Sequence, residues 1–179
     1  MENVFKKKDH STFSWENLGD IKEGRENLGE GMPVLVYRLM QFTMLDVLTK
    51  DLGREKANGY LRAAGKLAGT EFARNSLDLT ADLNTFVANL QKALEDLKVG
   101  ILRIESIDDD AQNIVLTVAE DLDCSGLPIT DETVCDYDEG FIAGILNEYT
   151  GKVYYVKEID CWSSGDRVCR FKCTTEVQE

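Results

Sequence analysis

The chain has 179 residues, 43% of them apolar and 30% charged, with a formal net charge of −13. This is enough chain for one domain with a real core. The negative charge argues against a nucleic-acid phosphate surface or an anionic membrane as partner, and no apolar run approaches the roughly 18 residues of a membrane span.

The start of the chain, MENVFKKKDHSTF, lacks the apolar stretch of a signal peptide. Five cysteines, an odd number, suit free thiols or metal ligands better than a disulfide framework. A reducing, cytoplasmic setting is the expectation.

Residues 1–31 read as a polar lead-in, with Lys6, Lys7 and Lys8 as a solvated patch. Residues 32–179 read as a single domain. Pro33 suits the first turn of a helix that runs to about Leu52 and stops at Gly53. That helix is apolar on more than one face, so core, a partner subunit or a ligand pocket must cover several of its sides. Residues 55–75 form a second helix with Gly59, Gly65 and Gly69 in it. Each glycine costs roughly 1 kcal/mol against alanine there. Close helix packing or space for a ligand would justify them. A third helix, capped by Thr80 or Asp78, extends to about Lys98 with one apolar stripe. It is an ordinary amphipathic helix with no chemistry assigned.

The period then changes. Residues 99–107 and 113–119 are strand-like, and Asp108-Asp109-Asp110 between them reads as a solvated hairpin turn. The spacing of a calcium-binding EF-hand loop is absent. A loop follows, and Cys135 opens a helix that ends at Gly151. A thiol at a helix N-terminus should have a lowered pKa. The final segments, KVYYVKEID and RVCRFKCTT, read as a β-hairpin around Trp162–Asp166. The order of elements predicts an α+β fold, with an antiparallel sheet of about four strands and about four helices packed on it.

The hairpin gathers chemistry. Cys161 and Cys169 flank its turn, Glu158 lies three residues before Cys161, and Cys135 can supply a fourth donor. Three thiolates and a carboxylate, Cys135, Glu158, Cys161 and Cys169, make a tetrahedral zinc site. Four protein ligands leave no place for water, so the zinc would be structural rather than catalytic. Arg167, Arg170 and backbone amides of the turn are candidates to offset its charge. Cys173 lies about 13 Å beyond Cys169 along a strand, at ~3.3 Å per residue, too far to share the ion. Cys124 is the reserve ligand. The alternative reading of these cysteines is a set of buried free thiols.

Three segments carry a resemblance: CSGLP at 124–128, VCDYDEGFIAGIL at 134–146, and EIDCWSSGDRVCRFKC at 158–173. They resemble the 4-vinyl reductase domain, a small-molecule-binding or hydrocarbon-binding domain. They are also similar to the sensor domain of phenol- and xylene-responsive transcriptional activators. RENLGEGMPVLVYRLM and AAGKLAGTEFA add weaker support. The resemblance implies the fold shared by nitric oxide sensors and Golgi-tethering subunits. In the aromatic sensors the family motif binds zinc at positions matching Cys135, Glu158, Cys161 and Cys169.

The resemblance also implies an apolar pocket, expected here between the 34–48 helix, the glycine-rich helix and the 141–149 helix. His10 is the only histidine, which disfavours histidine-ligated haem and a catalytic triad. No GxxxxGK[ST] phosphate loop and no GxGxxG fingerprint occur. Three functions stay open. The first is a dimeric sensor or carrier for a small hydrophobic or aromatic molecule, with structural zinc. The second is a vinyl reductase or its accessory in tetrapyrrole metabolism. The third is a dimerisation scaffold.

Overall fold

The computed structural model describes residues 13–108 and 110–175. Lys6 to Lys8 and His10 lie outside them. Contacts divide the chain into a unit up to Gly31 and a unit from Met32 onward. Within the first, a short 3₁₀ turn, Trp15–Leu18, precedes one helical turn, α1 (Ile21–Gly24), which Asp20 caps by accepting the N–H of Glu23.

Among the described residues, the second unit contains four α-helices: α2 (Val34–Leu52), α3 (Arg54–Ser76), α4 (Leu83–Asp96) and α5 (Asp136–Thr150). Its strands are β1 (Ile101–Ile107), β2 (Asn113–Ala119), β3 (Tyr155–Asp160) and β4 (Cys169–Thr174). They form one antiparallel sheet in the order β1-β2-β4-β3. The architecture is α+β, as the alternation of periods indicates.

Several helix ends differ from expectation in instructive ways. Pro33 stands at the N-cap of α2 rather than inside its first turn. α4 starts later than Asp78 or Thr80, because Asp82 is the cap. Its carboxylate accepts the N–H groups of Asn84 and Thr85, which are otherwise orphaned at a helix start. Asp78 instead folds a local turn with Thr80. Gly151 ends α5 in the left-handed conformation at φ 69°, where a side chain would be strained.

The core lies between the sheet, α4 and α5. α4 contributes Phe86, Leu90 and Leu94, the sheet Leu102, Ile114, Leu116, Val118 and Phe171, and α5 Ile142 and Ile145. Phe86 stacks on Tyr149 with ring centroids 3.7 Å apart.

Two glycines of α3, Gly65 and Gly69, serve contact with α5. A Cβ on Gly65 would lie 2.0 Å from the Tyr137 carbonyl oxygen, and one on Gly69 2.1 Å from that of Phe141. The opposing glycines of α5 match them: a Cβ on Gly140 would lie 2.0 Å from Arg62 O, and one on Gly144 2.3 Å from Lys66 O. The two helices therefore touch backbone to backbone, and backbone cannot give way as a flexible side chain can. Gly69→Ala and Gly140→Ala should each destabilise the fold by about 1–3 kcal/mol or more through overpacking. Gly59, with open space around its Cβ position, is the control: Gly59→Ala should stabilise by about 0.5–1 kcal/mol. Urea denaturation of the three variants tests this, and a neutral Gly69→Ala would refute the close-approach reading.

Candidate metal centre and adjoining cavity

Five fully buried cysteines lie in the C-terminal part of the chain, and four of them converge. The sulfurs of Cys124, Cys135, Cys161 and Cys169 all lie within 4.8 Å of one another. Three different local structures deliver them. Cys124 follows β2 in a turn held by Asp121, whose Oδ1 accepts the N–H of Asp123 at 2.8 Å and of Cys124 at 3.1 Å. Cys135 is the N-cap residue of α5. Cys161 and Cys169 bracket the β3–β4 turn, which contains a 3₁₀ turn, Trp162–Ser164.

The CSGLP segment and the hairpin turn are stitched together by hydrogen bonds. The Trp162 indole N–H donates to Leu127 O at 3.0 Å. The backbone N–H of Thr130 donates to Ser163 O at 2.8 Å, and the Thr130 and Ser163 hydroxyls meet at 2.8 Å. From the other side, Arg38 of α2 donates to the carbonyls of Leu122 and Ser125, while Tyr37 and Gln41 donate to the Asp123 carboxylate. The loop that carries Cys124 is thus held by α2 and by the hairpin turn together.

A zinc ion with Zn–S distances of about 2.3 Å sets tetrahedral sulfur–sulfur edges of about 3.8 Å. Cys135 lies 3.9 Å from Cys161 and 3.8 Å from Cys169. Cys124 is closer, 3.0 Å from Cys169. The donors are soft sulfurs in a buried, tetrahedral-sized cluster, which fits zinc.

Glu158 stands beside the four sulfurs. Its Oε2 accepts the backbone N–H of Cys135 at 3.0 Å, and its Oε1 is buried with no hydrogen-bond partner. Burial and the neighbouring Cys161 push its pKa up to about 8. Cys173 is buried elsewhere in β4, outside the cluster, and burial pushes its thiol up to about 12.

Two expectations about the surroundings need correction. The Cys135 thiol is pushed up, not down, because three neighbouring thiols and burial outweigh its place at a helix N-terminus. The thiol whose pKa is lowered is Cys161, through hydrogen bonds from the other three and from the backbone of Ser163. Nor do the arginines offset the cluster. Arg170 pairs with Glu105 and Asp160, and the Arg167 guanidinium sits 6.0 Å from the Trp162 ring centroid. The backbone of the turn does reach the cluster, by a hydrogen bond to the Cys161 sulfur.

Next to the cluster lies an apolar cavity of about 240 Å³. Its walls include Phe86 and Leu90 of α4, Leu102 and Leu116 of the sheet, and Ile142 and Ile145 of α5. It is not formed by α2 or α3, which sequence reasoning placed around it. Gly65 and Gly69 of α3 are used up in contact with α5, and α2 faces the 121–125 loop. α4 is the helix that sequence reasoning left without a role. Its apolar stripe looks the same whether the space it faces is filled or empty. Two acids, Asp121 and Asp138, close one end of the cavity. Asp121 and Asp138 also come within 4.8 Å of the Cys135 sulfur.

Among curated proteins the chain is similar to two uncharacterized proteins of Methanocaldococcus jannaschii. One, MJ1642, is 25% identical over 82% of this chain and 80% of the relative. The other, MJ0150, is 26% identical over 87% of this chain and 83% of the relative. Three solved structures share the fold. The phenol-responsive sensory domain of the transcription activator PoxR, bound to phenol, superposes with a TM-score of 0.62 at 15% identity, over 80% of this chain and 74% of that one. A vinyl-4-reductase family protein from M. jannaschii gives 0.60 at 18% identity, over 92% and 98%. A trafficking protein particle complex subunit 3 from Naegleria fowleri, covalently bound to palmitic acid, gives 0.58 at 13% identity, over 79% and 96%. Residues 114–175 match the family model of the V4R domain, a stretch that runs from β2 through α5 to β4 and carries all five cysteines.

Proposed function

We propose that this protein is a binding module for a small hydrophobic or aromatic molecule, a sensor or carrier, whose C-terminal part is held together by a structural zinc ion. The cavity between α4, α5 and the sheet is the observation that carries this reading. It is apolar with acids at one end only, the usual make-up of a small-molecule pocket. Its volume of about 240 Å³ exceeds the roughly 150 Å³ of a dry protein cavity that admits benzene. The phenol-bound PoxR domain and the palmitate-bound trafficking subunit, which share the fold, support it. A calorimetric screen of small aromatics tests it. Val87→Phe, which fills the cavity from α4, should abolish binding that the native chain shows. Binding that persists in this variant would place the ligand elsewhere.

Cys124, Cys135, Cys161 and Cys169 are the thiolates we assign to the zinc. Glu158, the oxygen donor expected from the motif, instead orients Cys135 through its backbone N–H, with its orphaned Oε1 as the competing fourth ligand. The ion supplies a cross-link between the loop after β2, the start of α5 and the hairpin. Elemental mass spectrometry of the purified protein should find about one zinc per chain. Cys161→Ser and Cys169→Ser should lose it and melt at lower temperature, while Cys173→Ser should retain it. Cys124→Ser and Glu158→Gln decide the fourth place. Loss of zinc in the first alone supports four sulfurs; loss in the second alone returns Glu158 to the ligand set.

The protein also presents a surface for a second copy of itself. α2 turns Tyr37, Arg38 and Gln41 inward to the 121–125 loop. Its outward residues are apolar, with Leu35 68%, Leu39 57% and Met40 61% exposed. Contiguous exposed apolar surface of this kind marks an interaction site. We assign it to a homodimer, the smallest closed assembly that covers the same face on both copies. Light scattering should give twice the chain mass for the native protein and a monomer for Leu39→Glu with Met40→Glu. A native monomer at micromolar concentration would refute the assignment.

A further inference from the structure

The acid end of the cavity narrows the kind of ligand. Asp138 stands three residues into α5 from Cys135 and lines the apolar cavity. Its Oδ2 is shut off from solvent and has no hydrogen-bond partner, and no ion pair forms on its carboxylate among the described residues. The two acids of the same helix turn are treated differently: Arg62 pairs with Asp136 and lies 3.7 Å from Glu139, which Lys157 also bridges at 2.7 Å. Asp138 has no such cation. Burial, and after it the neighbouring Asp123, Asp121, Glu158 and Cys124, push its pKa well above the usual carboxylate range. A metal in the thiol cluster does not reverse this, since four thiolates outweigh a divalent ion by two charges. Asp121, the other acid at the cavity end, is satisfied by the N–H groups of Asp123 and Cys124. Among the described residues, Asp138 is the acid of the cavity wall that keeps a buried oxygen without a hydrogen-bond partner.

A buried acceptor without a donor is costly, and a buried charge without a counter-charge more so. A hydrocarbon in the cavity would leave that cost in place, and a carboxylate ligand would add to it. We infer that the ligand is an apolar molecule, of one or two rings' bulk, with a hydrogen-bond-donating head that pairs with the Asp138 carboxylate, a protonated amine better than a hydroxyl. The apolar body lies against Phe86, Leu90, Ile142 and Ile145, and the head meets Asp138 at the end of the cavity nearest the thiols. This assignment rests on the cavity being a ligand site, and it commits the site to the opposite charge preference from that of a fatty-acid binder.

Four probes of matched shape test it by isothermal titration calorimetry on the full chain as purified: toluene, benzyl alcohol, benzylamine and benzoate. Benzylamine should bind about tenfold or more tightly than toluene, as expected for a hydrogen bond between charged partners. Benzyl alcohol should fall between them, and benzoate should not bind. Asp138→Asn should keep toluene binding and reduce the benzylamine advantage to less than about threefold. It should also keep the zinc content of the native chain and melt no lower, because a neutral amide of the same shape replaces a buried acid whose Oδ2 has no partner. Toluene or benzoate binding as well as benzylamine would overturn the charge preference while leaving the cavity as a ligand site. Absence of binding by all four at millimolar concentration would remove the cavity as a site for such molecules, and both assignments with it. Loss of metal from Asp138→Asn would make Asp138 a member of the metal centre instead.

Discussion

Everything at the functional end of this molecule depends on how closely α3 and α5 approach. Four glycines, Gly65 and Gly69 facing Gly140 and Gly144, let the two backbones touch. Any side chain there would push α5 away from α3 and towards the sheet. α5 is the helix that matters, because its first turn carries both Cys135 and Asp138, and its apolar side is one wall of the cavity. The glycines lower the intrinsic helix stability of α3. In return they fix the position of α5, from which the metal centre and the cavity are both measured.

The thiol cluster is the second fixed point. It joins a turn after β2, the start of α5 and the last hairpin, three segments far apart in the chain. Polar side chains of α2 and the indole of Trp162 hold the same turn from outside. The cysteines therefore meet in a frame that backbone hydrogen bonds already define. A metal in such a frame would be structural rather than catalytic, since all four cysteines are buried.

Much of this was legible in the sequence, and the reasons are local. Helical and strand periods, the stop at Gly53, the left-handed Gly151 and the Cys-x₇-Cys hairpin are short-range signals, and they located the elements and the α+β class. Non-local choices were not legible. Gly65 and Gly69 are compatible with close packing or with empty space, and only the matching glycines on α5 decide between them. The stripe of α4 reads as core whether or not a cavity lies beneath it. Cys124 enters the cluster because the Asp121 turn and Arg38 fold the 121–125 loop inward, an arrangement that no spacing in the chain encodes. The polar inner face of α2 is of the same kind, since Tyr37, Arg38 and Gln41 look like surface residues until the loop they hold is seen.

Cys135 and Asp138 are one helical turn apart, which gives the two ends of the site a common lever. A metal held by the thiols would fix the first residue of that turn, and a molecule paired with Asp138 would be held by the last. Neither can tilt without the other, because the turn is a rigid hydrogen-bonded ring. If occupancy of one site favours occupancy of the other, thermodynamics requires the same factor in the reverse direction. A single turn of helix, with a soft-metal donor at its head and a hard acid at its foot, is therefore enough to make the state of the thiols and the content of the cavity readable from one another.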